Sequence, residues 1–202
     1  MIHDLDSTLR VLLKRELPAP LNRQLAISFD PPDDQFPPQG VSLPAIDLFL
    51  YDIRENRELR SNEYLEVRSS EGTAITRLPL VRVDCSYLIT AWPSQSAPNR
   101  IEDEHRLLSL VMVALLAHPK LPDAVLQGTL RSQELPLPTA TLQPGHLQSL
   151  GEFWQAMGGK PKSALNYAVT IAVQPFASFV TPLVTSSETG IEPGADPDER
   201  RA

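Results

Sequence analysis

Between Leu165 and Gln174 the chain alternates with a period of two: Leu165, Tyr167, Val169, Ile171 and Val173 on one parity, Asn166, Ala168, Thr170, Ala172 and Gln174 on the other. That period puts one set on a single face of an extended strand, so the segment has an apolar face to bury. Val81, Val83, Cys85, Tyr87 and Ile89 repeat the pattern between Pro79 and Ala91, against Arg82, Asp84 and Ser86 on the other parity. Two long one-faced strands ask for a layer of helices, and the chain supplies two good candidates.

His3 to Glu16 reads as an amphipathic helix, with Leu5, Leu9, Leu12 and Leu13 at spacings of three and four, ended by Pro18 and Pro20. Asn99 followed by Glu102 resembles a capping box, and Asp103 and Glu104 add negative charge at the positive end of a helix dipole. That helix is expected to run to Ala117 or His118, before Pro119, as a core helix. Leu25, Ile27 and Phe29 read as a strand buried on one face, and Ile46 to Ile53, apolar at both parities apart from Asp47 and Asp52, reads as a central strand. Pro31 to Pro44 is expected to be an exposed loop, and Arg54 to Glu71 a solvated hairpin excursion with a short strand at Tyr64 to Arg68. Val125 to Leu130 suggests a short strand, Leu135 to Pro144 a proline-spaced loop, and Leu150 to Met157 a short helix stopped by Gly158-Gly159. The expected fold is α/β of the α+β kind: a mainly antiparallel or mixed sheet packed with two principal helices, over residues 1 to 175, followed by an arm and an acidic end from 176 to 202.

Composition narrows the function classes. The 202 residues carry 18 Lys plus Arg against 25 Asp plus Glu, a formal charge of -7, which argues against broad binding to nucleic acid or to anionic lipid. One Cys excludes a disulfide scaffold and favours a reducing, cytoplasmic site of synthesis. Met1 to Leu13 is broken by His3, Asp4, Asp6 and Arg10 where an export signal needs an apolar core, and Leu107 to Ala117 is too short to insert in a membrane. The 20 prolines lie mostly between periodic segments and punctuate the chain.

Catalytic patterns fail one by one. His3, His105, His118 and His146 show no metal-site spacing, so no metal is assigned; the acidic run before His105 reads as a capped first turn. Cys85 shares the core parity of its strand, where thiols are inert. Gly158-Gly159-Lys160 lacks the earlier Gly of a phosphate loop, with Trp154 in its place, and has Pro161 where Ser or Thr is required. Asp30, Asp33 and Asp34 lack the Gly and Glu of a calcium loop. No cofactor and no catalytic set is expected.

Six strings in one order carry a resemblance: Met1-Ile-His-Asp-Leu-Asp-Ser-Thr-Leu9, Ile27-Ser-Phe-Asp-Pro-Pro-Asp33, Asp47-Leu-Phe-Leu-Tyr-Asp-Ile-Arg-Glu-Asn56, Asp84-Cys-Ser-Tyr-Leu-Ile-Thr-Ala-Trp92 with Glu102-Asp-Glu-His-Arg-Leu-Leu108, Glu152-Phe-Trp154 and Leu165-Asn-Tyr167. Over residues 1 to 175 the chain resembles the N-terminal domain of the cap, or tail-terminator, proteins of phage-tail-like extracellular contractile injection systems of the antifeeding-prophage type. The resemblance implies a structural protein without catalysis, forming a homohexameric ring at the baseplate-distal end and closing inner-tube and sheath polymerisation. It also implies assembly in the cytoplasm, with release by lysis as part of the particle. Relatives of this kind continue into a further C-terminal region, which implies for this chain a smaller cap or the help of a second cap protein.

Three other readings stand beside that expectation: an adaptor linking the particle to another component, a small-ligand-binding or hydrolytic domain whose pocket is assembled across the fold, and a regulatory binding protein in the cytoplasm. For the arm, Phe176, Phe179, Val180, Leu183 and Val184 are too apolar for a free tail, and Pro182 makes them a poor continuation of the main sheet. Two readings stand for them: packing against a neighbouring cap subunit or the last sheath ring, by adding a strand to an open edge, or folding back onto their own core.

Overall fold

The structure is a computed structural model that describes residues 1–60, 65–68, 73–145, 147, 149–177 and 179–182. Along the chain it forms α1 (Ile2–Glu16), α2 (Leu21–Gln24), β1 (Ala26–Ser28), β2 (Ala45–Glu55), β3 (Leu65–Arg68), β4 (Thr73–Arg77), β5 (Val81–Trp92), α3 (Arg100–Leu116), β6 (Thr139–Thr141), α4 (Leu150–Ala156), β7 (Ala164–Val173) and β8 (Phe179–Pro182). Two short 3-10 helices, Asp123–Val125 and Gly128–Ser132, lie between α3 and β6.

The chain divides into two units. The larger holds α1 to α4 and a five-stranded sheet in the order β1-β2-β5-β7-β6, in which β1 runs parallel to β2 and every other pair is antiparallel. The sheet is thus mixed, with α1 and α3 as the two principal helices. The smaller unit holds a three-stranded antiparallel sheet, β3-β4-β8. Residues 62–79 fall with the segment after Gln174 because β4 pairs on one side with β3 and on the other with β8.

In the larger unit β5 is paired along nearly its whole length on both sides, Ile89 opposite Leu48 and Leu165, Tyr87 opposite Leu50 and Tyr167. Its odd parity, Cys85, Tyr87, Ile89 and Ala91, is fully buried. Leu5, Leu9, Leu12 and Leu13 of α1 and Leu107, Leu108, Val111 and Leu115 of α3 complete that core. Each such leucine side chain contributes roughly 1.5–3 kcal/mol relative to exposure. The α3 start has the expected cap: the Glu102 amide donates to Asn99 Oδ1 at 3.4 Å.

Polar side chains fasten the loops to this frame. Tyr87 donates its hydroxyl proton to Asp6 Oδ1 of α1 at 2.8 Å. The Thr129 amide and hydroxyl both donate to Asp4 Oδ2, at 3.2 and 2.7 Å, and the Gln127 amide donates to Thr8 Oγ1 at 2.9 Å. The Thr129 hydroxyl above all, with the N-terminal amine, holds the Asp4 carboxyl down at about 2. Beyond the short β6, the Gln133 side chain takes over the β7 edge, donating to Ala172 O at 2.7 Å and accepting from Ala172 N at 3.1 Å. Arg82, 6% exposed, donates to Pro136 O at 3.0 Å.

The structure departs from the sequence expectations at four places. Val125 to Leu130 is not a strand: Gly128 at φ +53 turns the backbone between two 3-10 helices, and Val125 and Leu130 are buried from those turns. The loop expected over Leu135 to Pro144 contains β6, an edge strand against Tyr167 to Val169. The Pro31 to Pro44 loop is not freely exposed, because Phe36 is 8% exposed and stacks on Trp92 with ring centroids 4.3 Å apart. The excursion after Arg54 does hold a strand at Leu65–Arg68, but its partner β4 was not foreseen.

Gly128 sets a sharp test of the α1 fastening. A Cβ there would fall 1.9 Å from Asp4 Oδ1, at a φ that side chains rarely adopt. Gly128→Ala is expected to break the Asp4–Thr129 contacts and lower the stability of the folded chain by about 1–3 kcal/mol, read as a drop in urea midpoint. An unchanged midpoint would show that the fastening contributes nothing.

Candidate assembly surfaces

The buried chemistry of the larger unit behaves as structure. Cys85 is fully buried on the core face of β5, and burial, with Asp84 and Asp6 adding negative charge nearby, pushes its thiol up to about 11. His3 sits 3.1 Å from Asp4 at the exposed start of α1, and His118 sits 3.2 Å from Glu16. His105 is exposed on α3, and His146 lies outside the described residues. Among the described residues no group of three or more His, Cys, Asp or Glu could hold a metal ion. No helix among them is long and apolar enough to cross a membrane.

Asp47 is the exception that costs stability. It stands on β2 opposite Ser28 and Thr90, with its side chain wholly buried. Neither carboxylate oxygen has a hydrogen bond of good geometry among the described residues. Burial pushes its pKa up to about 8; the Asp30 carboxylate adds to the rise, and the Ser28 hydroxyl and the Asp30 amide offset it only in part.

The surface carries the more telling features. On α3, Val113 is 64% exposed and Leu116 51% exposed, although the neighbouring Leu115 is fully buried. A groove of about 330 Å³ runs along one flank of the same helix, lined by Leu107 and Leu110 and, across from them, by Pro18, Pro20, Leu21 and Pro44. Asp103 and Arg106, one turn apart on α3, stand at its wall. In the smaller unit Phe176 is 53% exposed. The turn that carries it is held by Gln174, whose side-chain amide donates to Phe176 O at 2.7 Å.

The five residues expected at an interface are therefore not equivalent. Phe176 is presented to solvent. Phe179 and Val180 lie in β8, and pair there with Thr76 and Ile75 of the same chain. The strand addition expected for this segment thus has an intramolecular form in the β4–β8 ladder. Leu183 and Val184 lie outside the described residues.

With this geometry in place, comparison with known proteins adds a family. The model of the Pvc16 N-terminal domain matches residues 4–185. The chain belongs to the Pvc16 N-terminal domain family. No curated protein matches this family member. Solved structures do match, two of them as follows. A cryo-EM structure of the PVC sheath/tube terminator of an extracellular contractile injection system, in its extended state, is 29% identical with a TM-score of 0.70. The match covers 98% of this chain and 66% of that one. The cryo-EM structure of the anti-feeding prophage cap, a tube-terminating cap, is 28% identical with a TM-score of 0.67, covering 96% of this chain and 62% of the other. The family member thus spans just under two thirds of the length of each relative. The six strings quoted above pointed to this family, and the mixed α+β sheet is the fold these relatives share.

Sequence reasoning missed the outer face of α3, reading Leu107 to Ala117 as core. The signal was present: apart from Ser109 this stretch is apolar all round, whereas a helix lying on a sheet needs only one apolar stripe. The proline-lined groove had no sequence signal, because Pro20, Pro44 and Leu110 are far apart in the chain.

Asp47 yields a pH dependence of definite sign. Its ordinary value is 3.8, and the folded chain retains the proton up to about 8, so folding takes up a proton between those limits. Stability from this group is full below the lower limit and falls as pH rises towards the upper one, by about 1.4 kcal/mol per pH unit. Urea midpoints are expected to fall from pH 5 to pH 8, and Asp47→Asn to flatten that fall and exceed the unmodified chain at pH 8. An equally steep fall in the variant would remove Asp47 as its origin.

Proposed function

We propose that this chain is the terminator subunit of a contractile injection particle. Six copies form a ring at the end distal to the baseplate and halt polymerisation of inner tube and sheath there. The observation that carries the reading is the match over 98% of the chain, at 29% identity, to a sheath/tube terminator, backed by the match to a tube-terminating cap. Closure of a ring is also what a terminator needs physically, because head-to-tail contacts either close or grow without limit.

Both relatives are structural components by description, and the role assigned here is likewise non-enzymatic. The partners are further copies of the chain and the last rings of sheath and tube. Assembly takes place in the cytoplasm of the producing cell. The arm that begins at Phe176, with Phe179, Val180, Leu183 and Val184, is assigned to contacts made in the assembled particle.

Deleting the gene in a producing strain and measuring particles by electron microscopy tests the reading. The expected result is tubes and sheaths of broadly scattered length, or particles that fall apart at one end. Stable particles with an unchanged length distribution would overturn it.

A further inference from the structure

A ring built head to tail needs two different surfaces on one chain, each complementary to the other. The described residues supply such a pair, one in each unit. The first is the groove between α3 and the prolines that follow α1. Its volume of about 330 Å³ lies at the lower end of the range of binding pockets, roughly 300–1,000 Å³, and suits an aromatic side chain with its flanking backbone. The second is Phe176, an aromatic ring 53% exposed beside Pro175 on a turn fixed by the Gln174 side chain.

Three observations select each as the occupant of the other. The groove does not stop at Leu110: Val113 and Ala117 follow it at spacings of three and seven along α3, both exposed, so an apolar stripe continues from the groove onto the outer face of the helix. A visiting segment therefore finds an anchor pocket and a surface to lie along. Charge agrees with this. The chain as a whole carries a formal charge of -7, so most pairings of two copies bring like charges together. Asp103 and Arg106 cancel one another in the groove wall, and no charged residue occurs from Ser163 to Ser187, so groove and arm can meet without that cost. Finally, the Gln174 bond restricts the Phe176 turn before binding, which lowers the entropy lost on contact.

We infer that the groove between α3 and the Pro18–Leu21 segment receives Phe176 of a second copy of this chain, and that this heterologous contact closes the ring. The inference rests on the terminator reading and names the contact by which the ring forms. Phe176 acts as the anchor, seated against Leu107 and Leu110.

A paired cysteine substitution tests this in assembled particles. Gln24 is exposed at the groove rim and Ala177, next to Phe176, is exposed on the arm, while the native Cys85 is fully buried and takes no part. Particles carrying the full chain with Gln24→Cys and Ala177→Cys, which keep the Phe176 anchor, are mildly oxidised and expected to give a ladder of disulfide-linked copies on a non-reducing gel, ending at the closed ring. Each single variant is expected to run as a monomer. A ring seen by electron microscopy without any ladder overturns this contact and leaves the terminator reading in place. An Ala177→Cys product linked to sheath or tube protein overturns it in favour of that partner. Particles without a ring overturn the terminator reading and this contact with it. As a second variant, Phe176→Asp is expected to leave the melting temperature of the isolated chain unchanged and to cut the fraction of capped particles by about tenfold or more, because it would bury a charge in an apolar groove. Normal capping by Phe176→Asp would also overturn the contact.

Discussion

The larger unit depends on the double pairing of β5. Val81–Trp92 is the only described strand with long antiparallel ladders on both sides, to β2 and to β7, and without it the sheet would separate into β1–β2 and β6–β7. Its buried parity is also the floor on which α1 and α3 rest, with Tyr87 both packed against Tyr167 in register and tied by its hydroxyl to Asp6 of α1. Covalent geometry makes this economical: one alternation satisfies the backbone in the plane of the sheet and the apolar side chains perpendicular to it.

The exposed apolar surfaces are what that frame leaves over. Five buried residues of α3 fix the helix on the sheet, so Val113 and Leu116 project from a rigid element rather than a loop. The start of α1 is fixed by Asp4 and Thr8 to the 3-10 segment, and the prolines after its other end form the opposite wall of the groove. Open sheet edges invite wrong pairing, and β7 is protected: β6 covers its middle and the Gln133 side chain substitutes for a strand at Ala172. On the terminator reading proposed above, a closed β7 edge suits a component that ends a polymer.

The sequence made the regular elements legible because their periodicities are local. The alternations at Val81 to Ile89 and at Leu165 to Val173, the leucine stripe of α1 and the Asn99 cap are each complete within one element, and each was read with nearly the right bounds. What escaped depends on residues that meet only in the fold. Val125 and Leu130 look like strand residues until Gly128 turns the backbone against Asp4, and Thr139–Thr141 becomes a strand only because β7 offers an edge. Phe36 looks like part of a solvated loop until Trp92, 56 residues later in the chain, supplies a ring to stack on. Of the candidate surface, the apolar arm was visible as an oddity of composition. The groove was not, since its walls come from α1's exit, the start of β2 and α3.

On the terminator reading this chain sits at one end of the particle. Labelling it with an exposed tag after its last residue and imaging gold-decorated particles tests that claim directly. Label confined to the end opposite the baseplate, in an amount consistent with six copies per particle, is the predicted result. Label spread along the sheath, or gathered at the baseplate, would contradict it.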